Sequence, residues 1–214
     1  MARLNLVLFG GFHATIGGRH VPVPLRKAQG LLALLALAPG QRSSRERLAA
    51  LLWDDVGSEQ ARNSLRQTLF AVRSALGRSA SRYVAGAPAA LWLEPDCVNV
   101  DVLAFERLAG GQTDDALARA AALYRGDLLD GLDVDAIAFD EWLAPVRERL
   151  RQSAVTVMTK LLGRQTKAGA IEKAIATSRK LLGIDPLQEV AHRTLIGLYA
   201  GAGRRAEAIR QYQT

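Results

Sequence analysis

Two seven-residue stretches near the end of the chain resemble each other, and their spacing constrains the fold more than any other feature of the sequence. They begin at Gly169 and at Gly203 and read GAIEKAI and GRRAEAI, an offset of 34 residues. A fixed period of this size indicates a repeat architecture, in which each unit buries its apolar face only against its neighbours. The second half of the chain is therefore predicted to be a stack of similar units.

The 34-residue period is that of tetratricopeptide repeats, which are pairs of helices. Asp185 and Pro186 suit the tight connection between two pairs. The segment 139–164 predicts one or two further helices, and nearly every segment from Asp101 onward has helical periodicity. We therefore expect residues 98–214 to form an all-α helical array with a groove for a peptide or protein partner. A purely scaffolding or dimerising role stays open.

Thr214 falls inside what should be the first helix of a repeat. We therefore expect the natural chain to continue past this residue, with its signal-sensing portion in the part that follows.

Residues 1–97 have a different pattern, with short β-prone stretches before three helices. Strands are predicted at 4–9, 12–16 and 21–23, as a small antiparallel sheet. Helices follow at about 26–38, from about 43, and at about 59–76, and two short strands flank a loop at 85–88. Sheet, helices and hairpin together indicate a winged helix-turn-helix, so the predicted fold is mainly α with small β elements.

Two local features of these helices are explicit predictions. Ser43 and Glu46 have the spacing of a capping box at the start of the second helix. Phe70 is an unusual aromatic on the polar side of the third helix. We expect its ring to pack against a neighbouring element, and contact with a thymine methyl group is the alternative.

The third helix has the residues that favour a nucleic-acid function. At about 100° per residue, Arg62, Arg73 and Arg66 lie at about 0°, 20° and 40°, and Asn63 and Gln67 lie at about 100° and 140°. The apolar residues, among them Leu65, Leu69 and Leu76, lie between about 260° and 340° and form a separate face. Arginine can recognise guanine and an amide side chain can recognise adenine in the major groove. An ordinary amphipathic helix with a solvated face is the alternative.

The charge distribution favours the same half of the chain. The net charge is +7, and residues 1–100 contain twelve Lys and Arg against six Asp and Glu, whereas the rest contains sixteen against fifteen. A concentrated positive field suits a phosphate backbone or an anionic membrane, and charge alone does not choose between them.

Several classes of protein are not indicated. Cys97 is the single cysteine, the three histidines lack the spacing of metal ligands, and no nucleotide-binding loop or hydrolase motif occurs. We therefore expect no metal, no cofactor and no catalytic centre. No apolar stretch suits a signal peptide or a membrane span, so a cytoplasmic protein without a membrane partner is predicted.

Four stretches, taken in order, resemble the SARP-type bacterial transcriptional regulators. The first helix of those proteins resembles RKAQGLLALL from Arg26, and the second resembles SRERLAALLW from Ser44. Their recognition helix is similar to ARNSLRQTL from Ala61, and the entry to their bacterial transcriptional activator domain is similar to NVDVLAFE from Asn99. The resemblance covers nearly the whole chain.

The resemblance implies an OmpR-type winged helix that binds direct-repeat promoter sites in double-stranded DNA, and an activator that contacts RNA polymerase. Its DNA-binding residues would fall into three groups. Arg62, Asn63, Arg66 and Gln67 would lie in the major groove, with Arg73 nearer the backbone; Arg45, Arg26 and Lys27, at helix starts, would contact phosphates; and Arg82 would belong to the wing. The Gly-Gly-Tyr often seen in this wing is missing here, where the loop is apolar.

Two other functions stay open from the sequence. The chain could be an interaction adaptor whose winged helix no longer reads DNA, or a regulatory part of a larger enzyme such as a nucleotide cyclase or an ATPase. Homodimer formation, the operator sequence, the regulated genes and the inducing signal are not given by the residues.

Overall fold

The structure is a computed structural model and describes residues 2–213. The chain divides into two compact units. The first contains residues up to Ala104 together with Arg125–Glu148, and the second contains Phe105–Tyr124 and the residues from Arg149 onward. The predicted boundary after residue 97 stays a prediction.

A four-stranded sheet forms one side of the first unit. Its strands are β1 (Leu4–Val7), β2 (His13–Ile16), β3 (Arg19–His20) and β7 (Val98–Val100), in the order β3-β2-β1-β7. β1 pairs with β2 in antiparallel fashion, as predicted, whereas β7 joins the other edge of β1 in parallel, which was not predicted.

The third predicted strand, at 21–23, was wrong. The Val21 amide still donates to the Ala14 carbonyl at 2.9 Å, but Pro22 and Pro24 have no N–H group to continue the ladder. The strand therefore ends at His20.

Three helices and a second sheet complete this part of the chain. The helices are α1 (Arg26–Leu37), α2 (Arg45–Leu52) and α3 (Ser58–Leu76), and all three predicted helices are confirmed. The second sheet has the order β4-β6-β5, with β4 at Arg42–Ser44, β5 at Val84–Gly86 and β6 at Ala90–Leu93. Helix α3 and the hairpin of β5 and β6 are thus arranged as in a winged helix.

The predicted cap of α2 was wrong by one residue. The Ser44 hydroxyl accepts from the Arg47 amide at 3.1 Å, because β4 extends through Ser44, which pairs with Ala90, and Ser43 therefore lies one residue too early to cap the helix. The helix therefore begins at Arg45.

A segment distant in sequence packs into the first unit. Phe9 forms a β-bridge with Leu128, and the Arg147 guanidinium donates to the Leu128 and Leu129 carbonyls at 2.7 and 2.8 Å. Phe139 is fully buried. The segment 124–136 contains no helix and is the exception to the helical periodicity predicted from Asp101 onward.

The remaining helices are α4 (Asp101–Ala109), α5 (Asp114–Leu123), α6 (Ile137–Lys167), α7 (Ile171–Ile184), α8 (Glu189–Gly201) and α9 (Arg205–Tyr212). The predicted segment 139–164 lies within the single helix α6, which continues through Pro145. The helical array after the winged helix is confirmed.

The sequence echo has a structural cause in the second unit. Gly169 and Gly203 precede α7 and α9 with φ of 68° and 74°, a left-handed conformation that glycine adopts without steric cost. The helices they introduce pack with α8 around a core of Ile175, Leu195, Tyr199 and Ala208.

Candidate nucleic-acid interface

Helix α3 separates apolar from charged residues along its length. The side that faces the unit is buried, and Arg62, Arg66 and Arg73 are exposed on another side, as the helical wheel predicts. The buried residues are Ala61, Leu65, Thr68, Leu69, Val72 and Leu76. Packing of the apolar residues therefore fixes the direction in which the arginines point.

Arg45 connects the start of α2 to the hairpin loop. Its backbone amide donates to the Ala89 carbonyl, and its Nε donates to the Ala87 carbonyl, each at 2.9 Å. The Ala87 amide in turn donates to the Ala90 carbonyl at 2.8 Å, which closes the loop. The Arg45 guanidinium is thus held in place by the backbone of the β5–β6 hairpin, which we call the wing.

The exposed arginines and Arg45 meet in one open hollow of about 750 Å³. We call this surface the arginine hollow. Arg45, Arg62, Arg66 and Arg73 supply its charge, and Glu46 at α2 is its acidic residue. Its other lining residues are Ser44, Leu65, Leu69, Phe70, Pro88 and Ala89.

The positive charge of the arginine hollow is poorly compensated. Burial, and after it the charges of Arg73 and Arg66, lower the pKa of Arg45 below its usual value. Across residues 2–213, no ion pair involves Arg62, Arg66 or Arg73. An arginine stays protonated at neutral pH, so like charges face one another here and an anion would relieve their repulsion.

The two predicted amide residues lie outside the arginine hollow. Asn63 is exposed beside the first turn of α3, next to Gly57–Gln60. Gln67 is exposed and lines a second hollow with Lys27 and Asp135. Both side chains lie on outward positions of α3. Their predicted base contacts stay predictions.

Arg26 and Lys27 are engaged within the first unit. The Arg26 guanidinium lies 3.5 Å from the Asp133 carboxylate. The Lys27 ammonium donates to the Leu52 carbonyl at 2.7 Å and lies 5.4 Å from the centre of the Trp53 ring. The structure does not bring either residue to the arginine hollow, and their phosphate contacts stay predictions.

Arg82 ends the 3-10 turn Gly77–Arg82 ahead of the hairpin and is half-buried. It does not line the arginine hollow. Its predicted place in a DNA-contacting wing stays a prediction.

Two contributors to this surface were not among the predicted DNA-binding residues. Phe70 is 75% exposed, so the expectation that its ring packs against a neighbouring element was wrong. Its wheel position among polar residues was the available signal. Pro88 and Ala89 line the arginine hollow through the hairpin loop, and nothing in their apolar character indicated that place.

Within 2–213, no group of three or more His, Cys, Asp or Glu side chains is placed to hold a metal ion. No helix in that range is long and apolar enough to cross a membrane.

Comparison with known proteins decides the family. The profile of the bacterial transcriptional activator domain matches residues 100–214. The chain belongs to that family. Bacterial transcriptional activator domain proteins are transcription regulators, and the predicted resemblance to SARP-type regulators is confirmed.

A solved structure has the same fold as this family member. Mycobacterium tuberculosis EmbR, in complex with a low affinity phosphopeptide, is similar with a TM-score of 0.72 and 24% sequence identity. The match covers 100% of this chain and 59% of EmbR, so the chain spans little more than half of that protein. A search of curated proteins gives no match.

Proposed function

We propose that this transcription regulator binds duplex DNA in a sequence-specific manner through α3, which enters the major groove. The observation that carries the proposal is the arginine hollow, which is lined by four arginines and a single acidic residue. DNA supplies the anion that this arrangement favours, because its phosphates are spaced regularly along a groove that admits a helix.

The arginines of α3 suit contact with one strand and with base edges. Arg62 and Arg73 are separated by about 16 Å along the helix axis at 1.5 Å per residue, with Arg66 between them. Arg45 and Arg73 are the pair best placed for phosphates, because Arg45 is tied to the wing and adds its charge to that of Arg73. Arg62 and Arg66 are then the guanine readers.

The bacterial transcriptional activator domain is the part through which we propose activation. In this account the winged helix binds a direct-repeat promoter site, and the helical array contacts RNA polymerase. Both statements rest on the family resemblance and on the two-part fold.

Selection of duplexes from a random library by the whole protein tests the proposal. Arg66→Ala should weaken binding to an enriched duplex by about 1–3 kcal/mol and relax base preference, since one bidentate contact is lost. Arg205→Ala is the matched control, because it removes the same charge from an exposed position on α9.

The two variants are compared on the enriched duplex and on a scrambled one by fluorescence anisotropy. Base reading by Arg66 requires a larger loss on the enriched duplex. Equal losses on both duplexes would show phosphate contact only, and failure to enrich any sequence would refute specific DNA binding.

A further inference from the structure

Phe70 is the large apolar side chain most exposed on α3, with 75% of its surface accessible. It lines the arginine hollow with Arg66 and Arg73, and neither arginine makes an ion pair within 2–213. Exposed leucines and aromatic rings are common on protein surfaces, but Phe70 lies among arginines whose positive charge favours an anionic partner.

The direction of the ring follows from the helix geometry. The buried residues of α3 centre on about 290° of the helical wheel, and Phe70 lies at about 80°, which is about 150° away. Phe70 therefore points almost directly away from the core. In a helix lying in the major groove, this is the side that meets the base edges.

The chemistry of the ring restricts what it can contact there. Phenylalanine offers no hydrogen bond to a phosphate or to a base edge. The apolar group that the major groove exposes is the 5-methyl group of thymine. The surrounding guanidinium groups favour a polyanion over an apolar protein surface, because burying them unpaired would be costly.

We propose that Phe70 contacts the 5-methyl group of a thymine in the major groove and sets a preference for thymine at that base pair. This assignment rests on the proposed DNA binding by α3. It adds an apolar, specificity-determining contact to the polar contacts of Arg62 and Arg66.

The test replaces single thymines by deoxyuridine, which removes only the methyl group. Each thymine of an enriched duplex is replaced in turn, and the affinity of the whole protein is measured for the native sequence and for Phe70→Ala. At one thymine the native protein should lose roughly fourfold in affinity, the equivalent of about one buried methylene group. Phe70→Ala should show no loss at that thymine.

Ser74→Ala is the control variant, because Ser74 is exposed on the same side of α3 about one turn further on. It should keep the methyl sensitivity of the native protein. Both positions are exposed, so alanine at either should leave the fold intact, and circular dichroism verifies this before binding is measured.

The outcomes separate this assignment from the proposed function. If an enriched duplex binds tightly but no thymine is coupled to Phe70, the methyl contact is refuted while DNA reading stands. The same conclusion follows if Phe70→Ala leaves DNA affinity unchanged and instead abolishes capture of a protein partner. If no duplex is enriched, DNA reading itself fails and the Phe70 assignment fails with it.

Discussion

Arg45 shows how one side chain can join two elements of the candidate interface. Its Nε donates to the Ala87 carbonyl, and burial, followed by the charges of Arg73 and Arg66, lowers the pKa of the same guanidinium. The wing backbone thus fixes a cation that would otherwise move away from its like-charged neighbours.

Replacement of Arg45 should therefore change the salt dependence of DNA binding. Arg45→Ala removes one phosphate contact, so the slope of log K against log salt should become shallower by about 0.9. Titrations of one duplex at several salt concentrations measure it, with Arg205→Ala as the control that keeps the native slope. An unchanged slope for Arg45→Ala would exclude Arg45 from the phosphate contacts.

Asp101 has a structural role that its sequence position did not indicate. Its carboxylate accepts from the Leu8 and Phe9 amides at 2.9 and 3.1 Å, just past the end of β1. Asp101→Ala would remove the carboxylate that accepts from these part-buried amides, so we expect a loss of about 1–3 kcal/mol in the free energy of unfolding.

Urea denaturation of Asp101→Ala measures this loss. Asp96→Ala is the control, because Asp96 is exposed in the turn before β7. A shift of the Asp101 variant no larger than that of Asp96→Ala would show that the amides find water instead.

The hairpin of β5 and β6 has little room at its turn. A Cβ atom added at Gly86 would lie 2.6 Å from the buried Leu91 side chain and 3.3 Å from the Arg45 guanidinium. We expect Gly86→Ala to lower stability by about 1–3 kcal/mol, because overpacking forces neighbours out of place.

The comparison variant for the hairpin is Gly57→Ala, where an added Cβ meets nothing within 4 Å and only the small cost of alanine at the N-cap of α3 is expected. Thermal unfolding of the two variants compares them directly. If Gly86→Ala unfolds at the same temperature as Gly57→Ala and the native chain, the hairpin accommodates the added Cβ and the expected overpacking is refuted.

The helices of the winged helix were predictable because their signal is local. The spacing of apolar residues in α3 and the helix-ending Gly77 lie within one stretch of sequence, and the structure follows them. The cap of α2 was harder, because Ser43 and Ser44 are both good caps and the helix begins only where β4 ends, at Ser44. The parallel pairing of β7 with β1 joins residues more than ninety positions apart, and no local pattern reports it.

The core of the first unit includes residues that were predicted to belong to the helical array. Phe139 is fully buried, and Val134 and Leu52 both approach Gly30 of α1 so closely that an added Cβ would lie 3.0 and 3.1 Å from them. The acidic residues between 127 and 135 interrupt the helical periodicity, but no sequence pattern shows that this segment packs against α1. Sequence patterns therefore could not show that residues 125–148 belong to the first unit.

Phe139→Ala should destabilise the first unit by about 3–5 kcal/mol, because it leaves a cavity in a closely packed core. Phe70→Ala is the control, since it removes the same ring from an exposed site and should shift the free energy of unfolding by less than about 0.5 kcal/mol. Chemical denaturation of both variants provides the comparison. Equal, small effects would mean that Arg125–Glu148 contributes little to the first unit.

Hydrogen exchange of the whole protein, with and without an enriched duplex, locates the DNA-binding surface most directly. Bound DNA should slow exchange of amides in α3, at the start of α2 and in the β5–β6 hairpin, and the double variant Arg62→Ala with Arg66→Ala should remove this protection. Protection confined to α7, α8 and α9, with α3 unchanged, would contradict DNA binding through α3.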